Sequence, residues 1–244
     1  MKQMKALGLF LCAVAFGGLA FGQIVLVADE WCPYNCEPGD AMPGVLVEAA
    51  TTILGAAGLD VKYELTDDWD AALEATRAGK YGGVVGAARE DAPDFVFPDE
   101  EMAVSQNAIY VRKGDSWRYG GIESLEGKTA VGITSYSYGE EVDGWMEEKA
   151  LYVDSLEQAV EALLGGKADV LFENEYVMSL FALQNHLGDA IESAGQLESD
   201  IVYVAFSPAV AESKGYAEIL TKGLKEMKAD GSWKALLQKY GLDE

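Results

Sequence analysis

The chain has 244 residues, with 41 acidic against 18 basic side chains and a formal net charge of −23 at pH 7. So large an anionic excess is repelled by phosphate backbones, which argues against nucleic acid as a partner. Half of the residues are hydrophobic, enough to bury the core of one large domain or two small ones.

The first 22 residues, "MKQMKALGLFLCAVAFGGLAFG", place Lys2 and Lys5 before an apolar run over residues 6–20 and then small residues. That order predicts a secretory signal peptide cleaved near Gly22, and the run is short for a membrane anchor. The residues before Cys12 are too bulky for a lipoprotein cleavage box, so no lipid anchor is expected. The expectation is a soluble protein of the periplasm. Cleavage leaves Cys32 and Cys36, a close even pair in an oxidising compartment, which predicts a disulfide. Their C-x-x-x-C spacing is not that of redox enzymes. With one distant histidine, His186, they make a poor zinc site. Neither a metal nor another cofactor is expected.

From residue 23 onward, strand-like apolar runs alternate with helical patterns. "IVLVA" (24–28) reads as a buried strand, and "PGVLVEAATTILGAAG" as a helix with Pro43 near its start and Gly58 past its end. "VKYEL" is a strand, "DWDAALEATRAGK" a helix, "GGVVGA" a short strand and "AVSQNAIYVRK" a longer extended run. "KTAVGIT" is a strand and "GEEVDGWMEEKA" a helix. The helix "SLEQAVEALLGGKA" opens with a capping-box spacing from Ser155 to Gln158. "DVLFEN" is a strand, "EYVMSLFALQNHL" a helix that carries His186 near its end, and "DIVYVAFSP" the last strand. "SKGYAEILTKGLKEMKADG" and "SWKALLQKYG" are the closing helices. This alternation argues for an α/β fold with largely parallel sheets.

Four segments in order carry a resemblance: "ADEWCPY", "AGKYGGVVGAAREDAPDFVFP", "SLEGKTAVGITSYSYGEE" and "GGKADVLFENEYV", followed by the tail "DGSWKALLQKYG". Together they resemble the extracellular solute-binding proteins of family 3, which serve polar amino-acid ABC transporters and have the type II periplasmic binding fold. The resemblance implies a two-lobed α/β protein, each lobe a mostly parallel sheet flanked by helices, joined by two hinge strands within "AVSQNAIYV" and "DIVYVAF". Lobe 1 would comprise residues 23–111 and 206–244, and lobe 2 residues 112–205. A small polar ligand would sit in the cleft at the carboxyl ends of the strands, with hinge closure around it. The partner would be an ABC permease of the inner membrane, the binding protein a monomer, and no bond would be made. The alternatives are an exported dehydratase of the cyclohexadienyl type on the same fold, with Glu173 as general acid, and a soluble ligand-sensing module.

The resemblance also selects residues. Trp31 matches an aromatic that stacks on the ligand, with packing of the loop as the alternative, and Trp69 the opposite apolar wall, equally readable as a helix-start staple. Proline and the disulfide would hold Trp31 and Tyr34 at the cleft mouth. Arg89 stands six residues before Phe95, as does the family's carboxylate-gripping arginine. Aligned from the preceding strand, it falls instead where members carry Ser or Thr. In "TSYSYGEE", Ser137 and Tyr138 match a loop whose hydroxyls and helix-start amides cradle an anion, and Tyr136 replaces a common glycine. Asn174 stands where amino-acid binders place the aspartate that holds the α-ammonium, with Glu173 beside it, so the ligand need not be an ordinary α-amino acid.

Overall fold

The computed structural model describes residues 23–134 and 136–242. The signal peptide expected over residues 1–22 lies outside the described residues. Eight strands form one sheet: β1 (Gln23–Ala28), β2 (Asp60–Leu65), β3 (Gly83–Ala87), β4 (Ala103–Arg112), β5 (Ala130–Ile133), β6 (Ala150–Val153), β7 (Val170–Asn174) and β8 (Ile191–Phe206). Their order is β2-β1-β3-β8-β4-β7-β5-β6. Two parallel trios flank a central pair. β1 pairs in parallel with β2 and β3, and β5 in parallel with β6 and β7. Between them β4 and β8 run antiparallel, from Ala103 opposite Val202 to Arg112 opposite Ile191. Each trio joins the pair by one antiparallel edge, β3 on β8 and β7 on β4. This is the two-lobed arrangement with two crossing strands.

Helices cover both faces of each trio, because parallel strands joined by helical crossovers are buried on both sides. Against one face of the first trio lie α1 (Val45–Ala56), α6 (Ser213–Asp230) and α7 (Ser232–Lys239). Leu46, Leu54, Leu220, Leu224 and Trp233 are buried there. The opposite face takes α2 (Trp69–Arg77), through Leu73, Val84 and Phe95. In the second trio, α4 (Leu156–Leu164) and α5 (Glu175–Gln184) bury Leu163, Leu171 and Met178 on one side. On the other, α3 (Glu140–Lys149) buries Val142, Met146 and Phe172. Gly223 on α6 permits a close approach: a Cβ there would run into the side chain of Ile53 on α1.

The helix ends follow local chemistry. Ser155 Oγ accepts from Gln158 N at 3.4 Å, which satisfies a first-turn donor of α4, and Gln158 Oε1 reaches back to accept from Asp154 N just ahead of the cap. His186 follows the last residue of α5 and its cap in the left-handed region, at φ 57°, the conformation that usually terminates a helix at glycine.

Two stretches of strand escaped the sequence reading. β6 is a four-residue edge strand with Leu151 and Tyr152 largely exposed. The first half of β8, "IESAGQLES", is mostly polar and half exposed, so it carries no buried apolar run. It is a strand because β4 offers it an edge.

Candidate functional site

Every strand outside the hinge pair is followed by a loop or helix start that borders one cleft. Its main cavity is about 710 Å³, within the range for small-molecule sites, and an adjoining pocket is about 220 Å³. The two share Asp29, Trp31 and Trp69 from the first lobe and Tyr136 from the second.

The loop after β1 is built to hold Trp31. A disulfide joins Cys32 to Cys36. Trp31 N donates to Asn35 O at 2.8 Å, Trp31 O accepts from the Tyr34 and Asn35 amides, and Asn35 Nδ2 donates to Asp29 O. Tyr34 stacks on the indole, with ring centroids 4.2 Å apart. Tyr34 itself is wholly buried, and its hydroxyl donates to Val104 O at 2.9 Å and to Asn174 Oδ1 at 3.5 Å. It therefore backs Trp31 from inside the protein and does not stand at the cleft mouth. Trp69 is the first residue of α2, whose N-cap Asp68 accepts from Ala71 N at 2.9 Å, and it borders both cavities.

Arg89 borders neither cavity. Its guanidinium lies 4.9 Å from the Phe97 ring centre and 4.8 Å from that of Tyr203, and it donates to Pro98 O at 3.0 Å. The cationic group is engaged by two aromatic faces and a carbonyl.

The loop after β5 divides its side chains. Tyr136 borders both cavities. Tyr138 turns inward: it is buried, its hydroxyl accepts from Ile133 N at 2.9 Å, and its ring packs on Phe172. Ser137 borders the smaller pocket. Its hydroxyl donates to Asp143 Oδ2 at 2.6 Å, and Tyr138 N donates to Asp143 Oδ1 at 2.8 Å. The donors expected to cradle a ligand anion here are taken by the carboxylate of Asp143 on α3. After β3 the same device recurs, with Ala88 N donating to Asp91 Oδ2 at 2.8 Å.

At the end of β7, Asn174 caps α5 through Oδ1, accepting from the Tyr176 and Val177 amides, while Nδ2 donates to Ser105 Oγ. Only the smaller pocket reaches it. Glu173 is fully buried and borders the main cavity. One carboxyl oxygen accepts from Asn174 N at 2.7 Å; the other has no hydrogen-bond partner among the described residues. Burial pushes its pKa up to about 8, because a carboxylate loses its hydration there. Burial likewise raises Asp29. It also raises Asp91, crowded by Asp200 and Glu90, and Asp200, crowded by Glu90 and Glu198.

Asp67, Asp68, Asp70 and Asp154 add further acids to the main cavity, and no lysine, arginine or histidine borders either one among the described residues. Sequence reading missed Tyr136 as a wall, Asp143 as the cradle's occupant, and the acids around Trp69 and at Asp154. The run "DDWD" and the acid-rich first turn of α3 were the available signals. Among the described residues no group of acids, histidines or cysteines converges as metal ligands do, and no helix is long and apolar enough to cross a membrane.

The family model of the bacterial extracellular solute-binding proteins, family 3, matches residues 24–243. The chain belongs to this family. Solved structures agree in fold. A histidine kinase sensor domain with similarity to periplasmic binding proteins aligns at TM-score 0.75 and 19% identity, over 91% of this chain and 98% of its own. The P235GK mutant of ArgBP from T. maritima aligns at TM-score 0.69 and 21% identity, over 90% and 94%. An ancestral arginine-binding protein bound to arginine aligns at 0.68 and 22%, over 90% and 98%. No curated protein matches the chain.

Proposed function

We propose that this family 3 protein is exported to the periplasm, loses residues 1–22, and as a monomer captures a small polar solute between its lobes for delivery to an inner-membrane ABC permease. Residues 23–111 and 206–244 form lobe 1, and residues 112–205 lobe 2. The observation that carries this reading is the cleft itself: a 710 Å³ cavity where a braced tryptophan from one lobe faces a buried carboxyl with an unpartnered oxygen from the other. Trp31, Trp69 and Glu173 bind the ligand, with Tyr136 as a further wall and Ser137 and Asn174 at the margin. Arg89, Tyr34 and Tyr138 support the site from behind it.

Calorimetric titration of the exported protein tests this. A ligand at a hundred times its Kd stabilises the fold by about 2.7 kcal/mol, and Trp31→Ala should remove most of that gain. A hit whose affinity is unchanged by Trp31→Ala would place binding elsewhere.

One observation favours a second reading, the dehydratase. A buried carboxyl poised at about 8 is suited to general acid catalysis. Such a reaction also needs cationic groups for the carboxylates of its substrate, and the cavity walls supply none among the described residues. Product analysis by NMR after incubation with the ligand separates the two: capture returns the ligand unchanged.

A further inference from the structure

The class of solute follows from what the cleft has already filled. An incoming carboxylate would need donors at the strand ends. The Ala88 amide is taken by Asp91, and the Ser137 hydroxyl and Tyr138 amide by Asp143. Arg89, the nearest candidate cation, is held by Phe97, Tyr203 and Pro98 O. A ligand carboxylate would thus meet fixed carboxylates where it needs donors, and like charges in a partly dry site repel strongly.

The same walls suit a cation. Glu173 presents a buried oxygen that lacks a donor, and a buried charged acceptor is costly until a donor reaches it. Asp29 and Asp154 face the same space, and Trp31, Trp69 and Tyr136 offer aromatic faces, which attract ammonium groups as well as hydrocarbon. The acids ring the cavity without converging on a point among the described residues, which fits an elongated organic cation better than a metal ion.

Resting on the capture reading above, we propose that the cleft selects a small organic cation that carries no carboxylate, with its ammonium group at the free Glu173 oxygen and its hydrocarbon between Trp31 and Trp69. Asp91 and Asp143 enforce the selection by holding the positions that a zwitterion's carboxylate would require.

Matched pairs that differ by one carboxylate test this directly. Agmatine with arginine, and cadaverine with lysine, are titrated calorimetrically into the exported protein at pH 8.5, with glutamine, glutamate and calcium as further probes. The amine of at least one pair should bind at least about tenfold more tightly than its amino acid, a gap typical of one unpaired buried charge. Glu173→Gln, checked for native circular dichroism, should lose at least about tenfold of that amine's affinity by the same reasoning. An amino acid that binds as tightly as its amine overturns the proposal, as do binding of no amine, preference for calcium, and unchanged amine affinity in folded Glu173→Gln. Tight glutamine or glutamate binding overturns the ligand class and leaves solute capture standing. Chemical turnover of a bound amine overturns capture and leaves the ligand class standing.

Discussion

Replacing Glu173 by glutamine should stabilise the ligand-free protein above neutral pH and leave it somewhat weaker than the parent near pH 4.5. The carboxyl moves from an ordinary value of 4.5 to about 8 on folding. The folded state therefore holds the proton more tightly than the unfolded state. The stability associated with the neutral carboxyl is fully present below about pH 4.5, falls as pH rises toward 8, and is flat above. At about 1.4 kcal/mol per pH unit, the loss approaches 5 kcal/mol. Glutamine keeps an acceptor for Asn174 N and never ionises, but its amide lacks an acceptor at the free position, which costs about 1–3 kcal/mol. The net gain at pH 8.5 should be about 2–4 kcal/mol, or roughly 5–15 °C in melting temperature for a chain of this size. Urea unfolding of both proteins at pH 4.5, 6.5 and 8.5 gives the comparison. If the gap between the two does not widen with pH, or if the variant is the weaker at pH 8.5, Glu173 is not held neutral by burial.

Amine binding should tighten with pH for the same reason. Facing Glu173 are Tyr110 from β4, Tyr136 and Tyr138 after β5, Asp29 and Glu30 after β1, Asp154 after β6 and the acids at the start of α2. Burial holds the three tyrosines neutral, so Glu173 governs the response. Affinity should rise by up to about tenfold per pH unit from pH 6 to 8 and then level off in calorimetry; a flat profile would exclude Glu173 from the contact. Gly223→Ala should destabilise by about 1–3 kcal/mol in urea despite alanine's helix preference, because its methyl meets Ile53. Adding Ile53→Ala takes away the γ carbons that the methyl meets, so the two losses should combine to less than their sum. Arg89→Ala should lower stability by about 1–2 kcal/mol through the lost ring and carbonyl contacts. Ligand affinity should stay within about twofold, and a larger drop would return Arg89 to the cleft.

The α/β alternation was legible because each buried strand is a short apolar run and each helix carries its own start and stop signals. Both crossing strands were visible in their apolar portions. β6 and the polar half of β8 were not, since they exist through pairing rather than burial. Within the site, Trp31 follows a strand end, Trp69 opens a helix and Glu173 is the penultimate residue of β7, so all three fall at the cleft once the fold is known. Tyr34 and Tyr138 resemble them in sequence, yet each turns inward. The cause in each case is a backbone partner, Val104 O for Tyr34 and Ile133 N for Tyr138. The first lies 70 positions away, beyond any local pattern. Asp143 was hidden for a similar reason. A helix acid normally faces water, and only the fold of residues 136–139 brings Ser137 and an amide onto it.

The order of the chain also sets an order of events during synthesis. The second trio draws its strands and helices from one uninterrupted stretch, so it can assemble from neighbouring sequence. The core of the first trio cannot, because Leu46 and Leu54 are covered by Leu220, Leu224 and Trp233 from the far end of the polypeptide. Until those last helices emerge from the ribosome, the opening third of the protein has no lid for its apolar face. A polypeptide arranged in this way cannot close the core of its first trio until its synthesis is complete, so that core depends on contacts of high sequence separation.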